Sequence, residues 1–306
     1  MINEVRIFMK NMRLPLIIAL GTAILGIVLG SFFDLSISSA IADPNNAFAL
    51  LLSAIGPTIG FAAVSAMGGG FIAFIVKGKY PILLKILFGV LAAACYGVAI
   101  GYPGGEYFGV NGFYNPDLNW LGYVIVALPE AAAMVGGYFL FRNYKNENLW
   151  IVFCIIIGVL LLALLLVIPV IKDNMRRPRY RLISVVEEIK FHNWWEPCSN
   201  YKDLMTTYNI DSSDHFKSFP SGHTAEASIP LVIITFFGLA NEDFKKYQLP
   251  AFIGGCALVL IVAFARILAA AHFLSDVSMG ATIVLTFTFI ANEVVIRIKY
   301  LQLKEQ

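Results

Sequence analysis

Three polar clusters interrupt the apolar stretches in the second half of this 306-residue chain, and their side chains suit the binding of anions. The first runs from Lys172 to Arg181 and is rich in Lys and Arg. The second is Phe219–Thr224, which reads Phe-Pro-Ser-Gly-His-Thr, and the third runs from Arg266 to Asp276. Each cluster lies at the end of an apolar segment. Cations, a glycine-containing turn and histidines in this arrangement indicate chemistry on a phosphate group.

Phosphoryl transfer needs the residue types that these clusters contain. Its transition state spreads negative charge over the phosphate oxygens, so catalysis depends mainly on positioning and electrostatic stabilisation. The planar guanidinium groups of Arg179 and Arg266 match phosphate oxygens, and Lys172 supplies a compact positive charge. The backbone N–H groups of Ser221 and Gly222, directly before a predicted helix, could bind the same oxygens. The serine hydroxyl adds a further donor.

The histidines of these clusters could provide a nucleophile and a proton donor. Asp276 follows His272 by four residues, a spacing that allows contact on one helical turn or around a tight corner. A carboxylate that holds Nδ1–H would leave Nε2 of His272 free to attack phosphorus. His223 could then protonate the leaving oxygen and later activate water. Because cationic side chains compensate the charge, we expect neither a metal ion nor another cofactor.

The spacing within the clusters resembles the three-part signature of the type 2 phosphatidic acid phosphatase (PAP2) superfamily, written KxxxxxxRP, PSGH and SRxxxxxHxxxD. The resemblance covers roughly residues 150–298. Two positions depart from the pattern, since Tyr180 replaces a proline and Ala265 replaces a serine, and neither is the expected nucleophile or acid. The matching positions are Lys172, Arg179, Pro220–His223, Arg266, His272 and Asp276.

This resemblance implies a membrane phosphatase, because the superfamily includes lipid phosphatases, undecaprenyl and dolichyl diphosphatases and glucose-6-phosphatase, besides vanadium haloperoxidases. We therefore expect hydrolysis of a lipid phosphomonoester or diphosphate, phosphatidate-like or undecaprenyl diphosphate-like, through a phosphohistidine. Two alternatives stay open: a lipid phosphotransferase with the same intermediate, and a non-catalytic lipid or anion transporter. The expected catalytic residues are His272, His223 and Asp276, and the expected phosphate-binding residues are Lys172, Arg179, Ser221, Gly222 and Arg266.

Composition predicts an all-α polytopic membrane protein with about eight transmembrane helices. The chain is 58% hydrophobic and 14% charged, whereas roughly a quarter of an average soluble domain is charged. A net charge of +2 does not favour a nucleic-acid partner. Backbone groups in lipid must be satisfied within the segment, which favours helices. The apolar segments are Arg13–Phe33, Phe48–Val76, Pro81–Gly101, Leu118–Phe141, Leu149–Ile171, His223–Ala240, Pro250–Ala270 and Val277–Ile298.

We divide the chain into four N-terminal transmembrane helices over residues 1–148 and a PAP2-type core over residues 149–306, which includes an outer loop at 172–222. Familiar six-helix members of the superfamily have three helices before the first motif, whereas five precede it here. The first two helices or so therefore lie outside what the resemblance explains.

The distribution of Lys and Arg predicts how the helices cross the membrane. The loops Phe33–Ala47 and Tyr102–Asp117 contain acids, including Asp34 and Glu106, but no Lys or Arg. The positive-inside rule places both termini in the cytoplasm and the three clusters outside. We expect the membrane to be a bacterial plasma membrane. A cleaved N-terminal signal ending near Ala40–Ala42 is an alternative. The basic residues that the rule places on the cytoplasmic side are Arg6, Lys10, Arg13, Lys77, Lys79, Arg142, Lys145, Lys245, Lys246, Arg297, Lys299 and Lys304.

Several other polar positions have less specific interpretations. Glu130 fits either a functional carboxylate within the membrane or a hydrogen-bonded packing role, and Glu226 could contact His223 or line the substrate path. Gly68–Gly70 indicates close packing or a break in the second helix. The expected partners are the bilayer and a lipid phosphate, and the oligomeric state is left open. Solvent or lipid headgroup contacts are favoured for Arg176, Arg177 and Arg181, and surface positions for His192 and His215.

Overall fold

A computed structural model of the protein describes residues 11–109, 113–240 and 242–298. Within these ranges the chain is helical and forms no strand. Eight of the helical segments are long and apolar enough to cross a membrane, which confirms the predicted all-α membrane bundle. The helices are α1 (Arg13–Ile41), α2 (Ala47–Lys77), α3 (Ile82–Tyr107), α4 (Asn119–Phe141), α5 (Leu149–Leu160), α6 (Ile168–Met175), α7 (Tyr180–Ile183), α8 (Tyr201–Thr207), α9 (Gly222–Ala227), α10 (Ile229–Phe236), α11 (Lys245–Leu268) and α12 (Leu274–Arg297).

Two acids that the sequence placed in loops lie inside helices. Asp34 is part of α1, and Glu106 is in the last turn of α3. The predicted helix ends at Phe33 and Gly101 were therefore too early. Polar residues extend these helices because they find partners, as described below for Asp34. Arg6, Lys10, Lys299 and Lys304, which the orientation prediction used, lie outside the described residues.

The fifth span contains a stretch of wider, π-helical turns and continues to Met175, beyond its predicted end at Ile171. α5 and α6 are joined without interruption by a π-helical segment, Leu161–Val167. Pro169 follows at the start of α6, where its missing N–H is tolerated. The helix ends at Arg176, whose φ of 47° is left-handed. Lys172 consequently lies in the last turn of α6.

The sixth span is divided into α9 and α10 at Ser228. Pro230 cannot donate a backbone hydrogen bond, so the regular helix restarts one residue before it. The hydroxyl of Ser228 donates to the carbonyl oxygen of Thr224 at 2.8 Å and thereby stabilises the junction. Gly222–Leu239 remains long and apolar enough to form one span.

The glycines of the second helix permit close packing and do not break it. α2 is continuous from Ala47 to Lys77. A Cβ on Gly69 would overlap the carbonyl oxygen of Met134 in α4, and one on Gly137 in α4 would overlap that of Ala66. Of the two interpretations of Gly68–Gly70, close packing is therefore correct.

The three polar clusters meet at one end of the bundle. α6 and α11 end there, and α9 and α12 begin there. The C-terminal end of α1 and the start of α2 lie at the same end, because the N–H of Asp43 donates to the carbonyl oxygen of Leu268 at 2.7 Å. α2 then carries the chain from this end to Lys77 on the other side, about 1.5 Å per residue.

Candidate active site

His272 lies in the loop between α11 and α12, where Ala270 adopts a left-handed φ of 55°. Its side chain is almost fully buried, and Nδ1 lies 2.6 Å from the carbonyl oxygen of Ser218. A carbonyl can only accept, so this contact requires the proton on Nδ1 and leaves the lone pair on Nε2. Asp276, the neighbour expected from the spacing, is farther away, with Oδ2 3.8 Å from Nδ1. The nearest partner of Nδ1 is therefore a backbone carbonyl that the sequence analysis missed.

The carboxylate of Asp276 is buried and held by three different residues. Its Oδ2 accepts from the hydroxyl of Ser218 at 2.5 Å and from the N–H of Phe273 at 2.8 Å. Its Oδ1 accepts from Nη1 of Arg177 at 2.5 Å. The Phe273 contact caps the first turn of α12. Because Ser218 contacts Asp276 through its hydroxyl and His272 through its carbonyl, it links the two side chains.

Arg177 is buried among these groups, so the prediction that it contacts solvent or lipid headgroups was wrong. It is 1% exposed. Its guanidinium donates to Asp276, to the hydroxyl of Ser275 at 2.9 Å and to Asp34 at 2.9 Å, and it lies 4.2 Å from the ring centre of Phe273. A carboxylate on a membrane helix requires a polar partner. Asp34 directly follows the predicted end of the first apolar segment at Phe33, so its carboxylate was the sequence feature that could have indicated a buried cation.

The three expected phosphate-binding cations lie around His272 and Asp276. Lys172 Nζ donates to the carbonyl oxygen of Lys217 at 2.9 Å, and Arg179 Nη1 donates to that of Ala271 at 3.2 Å. Arg266 Nη1 donates to the hydroxyl of Ser53 in α2 at 2.6 Å. Arg179 and Arg266 are both at most 2% exposed. Several buried cations close together favour a bound anion.

Asp214 orients two of the arginines and was not anticipated from the sequence. Its carboxylate lies 3.0 Å from Arg179 Nη2 and 3.2 Å from Arg181 Nη2. Burial opposes its ionisation, but the charges of Arg179, Arg181 and Lys172 outweigh burial and lower the pKa of Asp214 below its usual value. Arg181 is therefore paired within the protein, contrary to its predicted headgroup role. Arg176 forms an exposed pair with Asp173 at 2.6 Å.

The surroundings of His272 keep its ring neutral. Burial is the main cause that lowers the pKa of His272 well below its usual value, and the positive charges of Arg179, Lys172 and Arg266 add to it. The hydrogen-bonding influence of Asp276 acts in the opposite direction. A neutral imidazole with its proton on Nδ1 is the nucleophilic form.

The turn before α9 presents a hydroxyl and a glycine to the same region. The N–H of Ser221 donates to the carbonyl oxygen of Asp276 at 2.9 Å. Its N–H group is therefore already used, contrary to the expectation that it binds phosphate. Its hydroxyl caps α9 by accepting from the N–H of Thr224 at 3.4 Å. A Cβ on Gly222 would come within 4.0 Å of Lys172 Cε and 3.3 Å of Glu226 Oε1. Glycine keeps this space open beside Lys172.

His223 lies in the first turn of α9 and is held from the N-terminal half of the chain. Its Nε2 lies 3.2 Å from the carbonyl oxygen of Ser53 and 4.0 Å from Oε2 of Glu106. The carbonyl fixes a proton on Nε2, so that Nδ1 is the nitrogen left for proton exchange. Ser53 thus contacts His223 through its backbone and Arg266 through its hydroxyl.

The remaining predicted positions, two glutamates and two histidines, are all at least half-buried. Glu226 is buried beside Gly222 and hydrogen-bonds to Tyr102. Glu130 is buried in α4, where its backbone carbonyl accepts from Ser65 of α2 at 2.8 Å. His192 and His215 are both half-buried, so neither is a fully exposed surface histidine.

Fold and site together define an α-helical integral membrane protein with a cation-lined histidine centre at one end of the bundle. Residues 149–299 match the family model of the PAP2 superfamily, and through these residues the chain belongs to that superfamily. The superfamily includes phosphatases and phosphohydrolases, which indicates phosphatase activity on a phosphate-containing substrate in a membrane protein. No curated protein and no solved structure matches the chain. α1 to α4 lie before the matched residues.

Proposed function

We propose that this protein hydrolyses a phosphomonoester or diphosphate of a membrane lipid through a phosphohistidine on His272. The observation that carries the proposal is the buried ring of His272, which is held at Nδ1 by the carbonyl of Ser218 and surrounded by cations. This arrangement supports a neutral nucleophile beside an anion site. The apolar bundle supports a lipid as the carrier of the phosphate.

In the first half-reaction, the Nε2 lone pair of His272 forms a bond to phosphorus as the bond to the leaving oxygen breaks. The leaving oxygen keeps the electron pair and takes a proton from Nδ1 of His223, which enters this step as an imidazolium and becomes neutral. The ring of His272 becomes cationic, and the Ser218 carbonyl and Asp276 stabilise that charge. The phosphate oxygens are held by the side chains of Lys172, Arg179 and Arg266, by the hydroxyl of Ser221 and by the N–H of Gly222.

In the second half-reaction, water attacks phosphorus and passes a proton to His223. The bond between nitrogen and phosphorus breaks, its electron pair returns to Nε2, and inorganic phosphate leaves. An acceptor hydroxyl in place of water would give a phosphotransferase by the same steps.

The site is proposed to lie on the outer face of a bacterial plasma membrane, with both termini in the cytoplasm. Ser53, His223 and Asp276 mark one end of the bundle. The opposite ends of α2, α4, α11 and α12 carry basic residues, which favour the cytoplasmic side. These residues are Lys77, Arg142, Lys245, Lys246 and Arg297.

Phosphate release in detergent tests this function. Purified protein would be given phosphatidate, phosphatidylglycerophosphate or undecaprenyl diphosphate, with and without EDTA. We expect release from at least one of these lipids at the same rate in EDTA, because side chains supply the positive charge. Release that requires added metal would contradict the mechanism. A labelled phosphate found on an added lipid acceptor, with no inorganic phosphate formed, would instead identify a phosphotransferase.

The depressed pKa of His272 predicts that activity persists on the acid side of neutrality. The ring is active when neutral, so activity falls only as pH drops through its lowered pKa. Free histidine titrates near 6.5. We therefore expect kcat/KM, corrected for titration of the substrate phosphate, to change by less than about twofold between pH 7.5 and 6.5. A tenfold loss over this interval would contradict a neutral, buried His272.

A further inference from the structure

The first helix packs directly on the helix that carries Asp276. Gly26, Gly30 and Asp34 follow one another at four-residue intervals and therefore share one face of α1. A Cβ on Gly26 would overlap the hydroxyl of Ser278, and one on Gly30 would lie 2.6 Å from the N–H of Ser275. The two glycines thus bring the backbone of α1 against the first turns of α12. This contact places Asp34 beside the site.

Asp34 is a buried carboxylate with three protein donors, and it is the only acidic residue within α1. It is 2% exposed. Its Oδ1 accepts from the N–H of Ser275 at 2.9 Å, and its Oδ2 accepts from the hydroxyl of the same residue. Its Oδ2 also lies 2.9 Å from Nη2 of Arg177. Asp34 therefore caps α12 from another helix and pairs with the arginine that holds Asp276.

Arg177 joins the two carboxylates through the two ends of one planar group. Nη1 binds Asp276 at 2.5 Å, while Nη2 binds Asp34 at 2.9 Å. Because a guanidinium is rigid and planar, fixing one end fixes the direction of the other. Asp34 thereby determines where Arg177 meets Asp276, and Ser218 continues the contact to His272.

We propose that Asp34 is a positioning residue of the phosphatase site, acting through Arg177 and Ser275 on Asp276 and His272. The proposal rests on the proposed function. It assigns a role in the reaction to α1, which lies outside the residues matched by the family model. The N-terminal helices accordingly complete the site.

Asp34 also balances the charge around His272. The charged and titratable groups that act on His272 include Asp276, Asp214, Arg179, Lys172, Arg266 and His223, and Asp34 itself faces Arg177 and Asp276. Removing its negative charge leaves the cations in greater excess. Protonation of His272 then becomes less favourable, so the acid limb of kcat/KM should move to lower pH.

The test compares Asp34→Asn with Asp43→Asn, which removes the same charge from an exposed position just beyond α1. Both variants are assayed with the lipid that the wild type hydrolyses, and thermal unfolding in detergent verifies that they are folded. We expect Asp34→Asn to lower kcat by about 10- to 100-fold, because the nucleophile loses its alignment. KM should stay within about twofold, since the phosphate-binding cations are retained. Asp43→Asn should match the wild type.

A charge-retaining variant separates positioning from folding. Asp34→Glu should keep the acid limb of kcat/KM at the wild-type pH, whereas Asp34→Asn should shift it. The inference is overturned if folded Asp34→Asn has the wild-type kcat and pH profile, or if its loss of activity equals its loss of folded protein. A wild type that releases no phosphate would refute the proposed function together with this inference. An active wild type with an unchanged Asp34→Asn would refute the inference alone.

Discussion

Replacing His272 by alanine is expected to reduce phosphate release by about 10⁴-fold or more, because no other group can form the covalent intermediate. The side chain is buried in a site whose other members bind or orient, so no neighbour takes its place. Rapid quenching of wild-type protein and labelled substrate in base should trap a phosphoenzyme. Phosphate bound to histidine is stable in base and labile in acid, whereas a phosphoserine behaves in the opposite way.

His192→Ala provides the matched control for this prediction. It removes a half-buried histidine side chain from the same outer segment and should keep wild-type activity and labelling. Labelling that survives in His272→Ala would place the nucleophile elsewhere. Activity that survives in His272→Ala would exclude a phosphohistidine at this position.

Replacing Arg177 by methionine is expected to cause the largest loss of stability. The change leaves Asp34 and Asp276 buried without their common cation, and both are at most 2% exposed. Removing one partner of a buried ion pair costs about 3–5 kcal/mol. In thermal unfolding in detergent this corresponds to a lowering of Tm by roughly 10 °C. Residual folded protein should also be inactive, because Asp276 loses its orientation.

Arg176→Met tests whether the effect depends on burial. Arg176 is the neighbouring residue, and its ion pair with Asp173 lies at the surface, with the side chains of Arg176 and Asp173 17% and 58% exposed. Such surface pairs contribute about 0–1 kcal/mol. The Tm should therefore stay within a few degrees of the wild-type value. Equal effects of the two substitutions would show that the network around Arg177 does not stabilise the fold.

The sequence predicted the spans well, because a long apolar segment can only be satisfied in a bilayer as a helix. It predicted helix ends less well, as the ends of the first and fifth spans illustrate. Asp34 extends α1 because Arg177 lies opposite, and a wide turn before Pro169 lets the fifth span continue to Met175. Neither cause is visible in local hydrophobicity.

The motif spacing predicted residues that the structure brings together at the candidate site, but it did not predict what holds them. Asp34 and Arg177 are 143 positions apart, and Ser53 and Arg266 are 213 positions apart. Ser218 acts partly through its backbone carbonyl, which every residue possesses. A pattern of side-chain types carries no information on contacts of this kind.

The packing of α1 on α12 has a consequence for the biosynthesis of the protein. Asp34 and Ser275 are 241 positions apart, so the ribosome makes the first partner long before the last. At about 5–20 residues per second, the interval is roughly 10 to 50 s. During that time α1 waits in the membrane translocation machinery or the bilayer without its partners. A nascent chain that stops before α12 can insert most of its spans and still has no assembled centre.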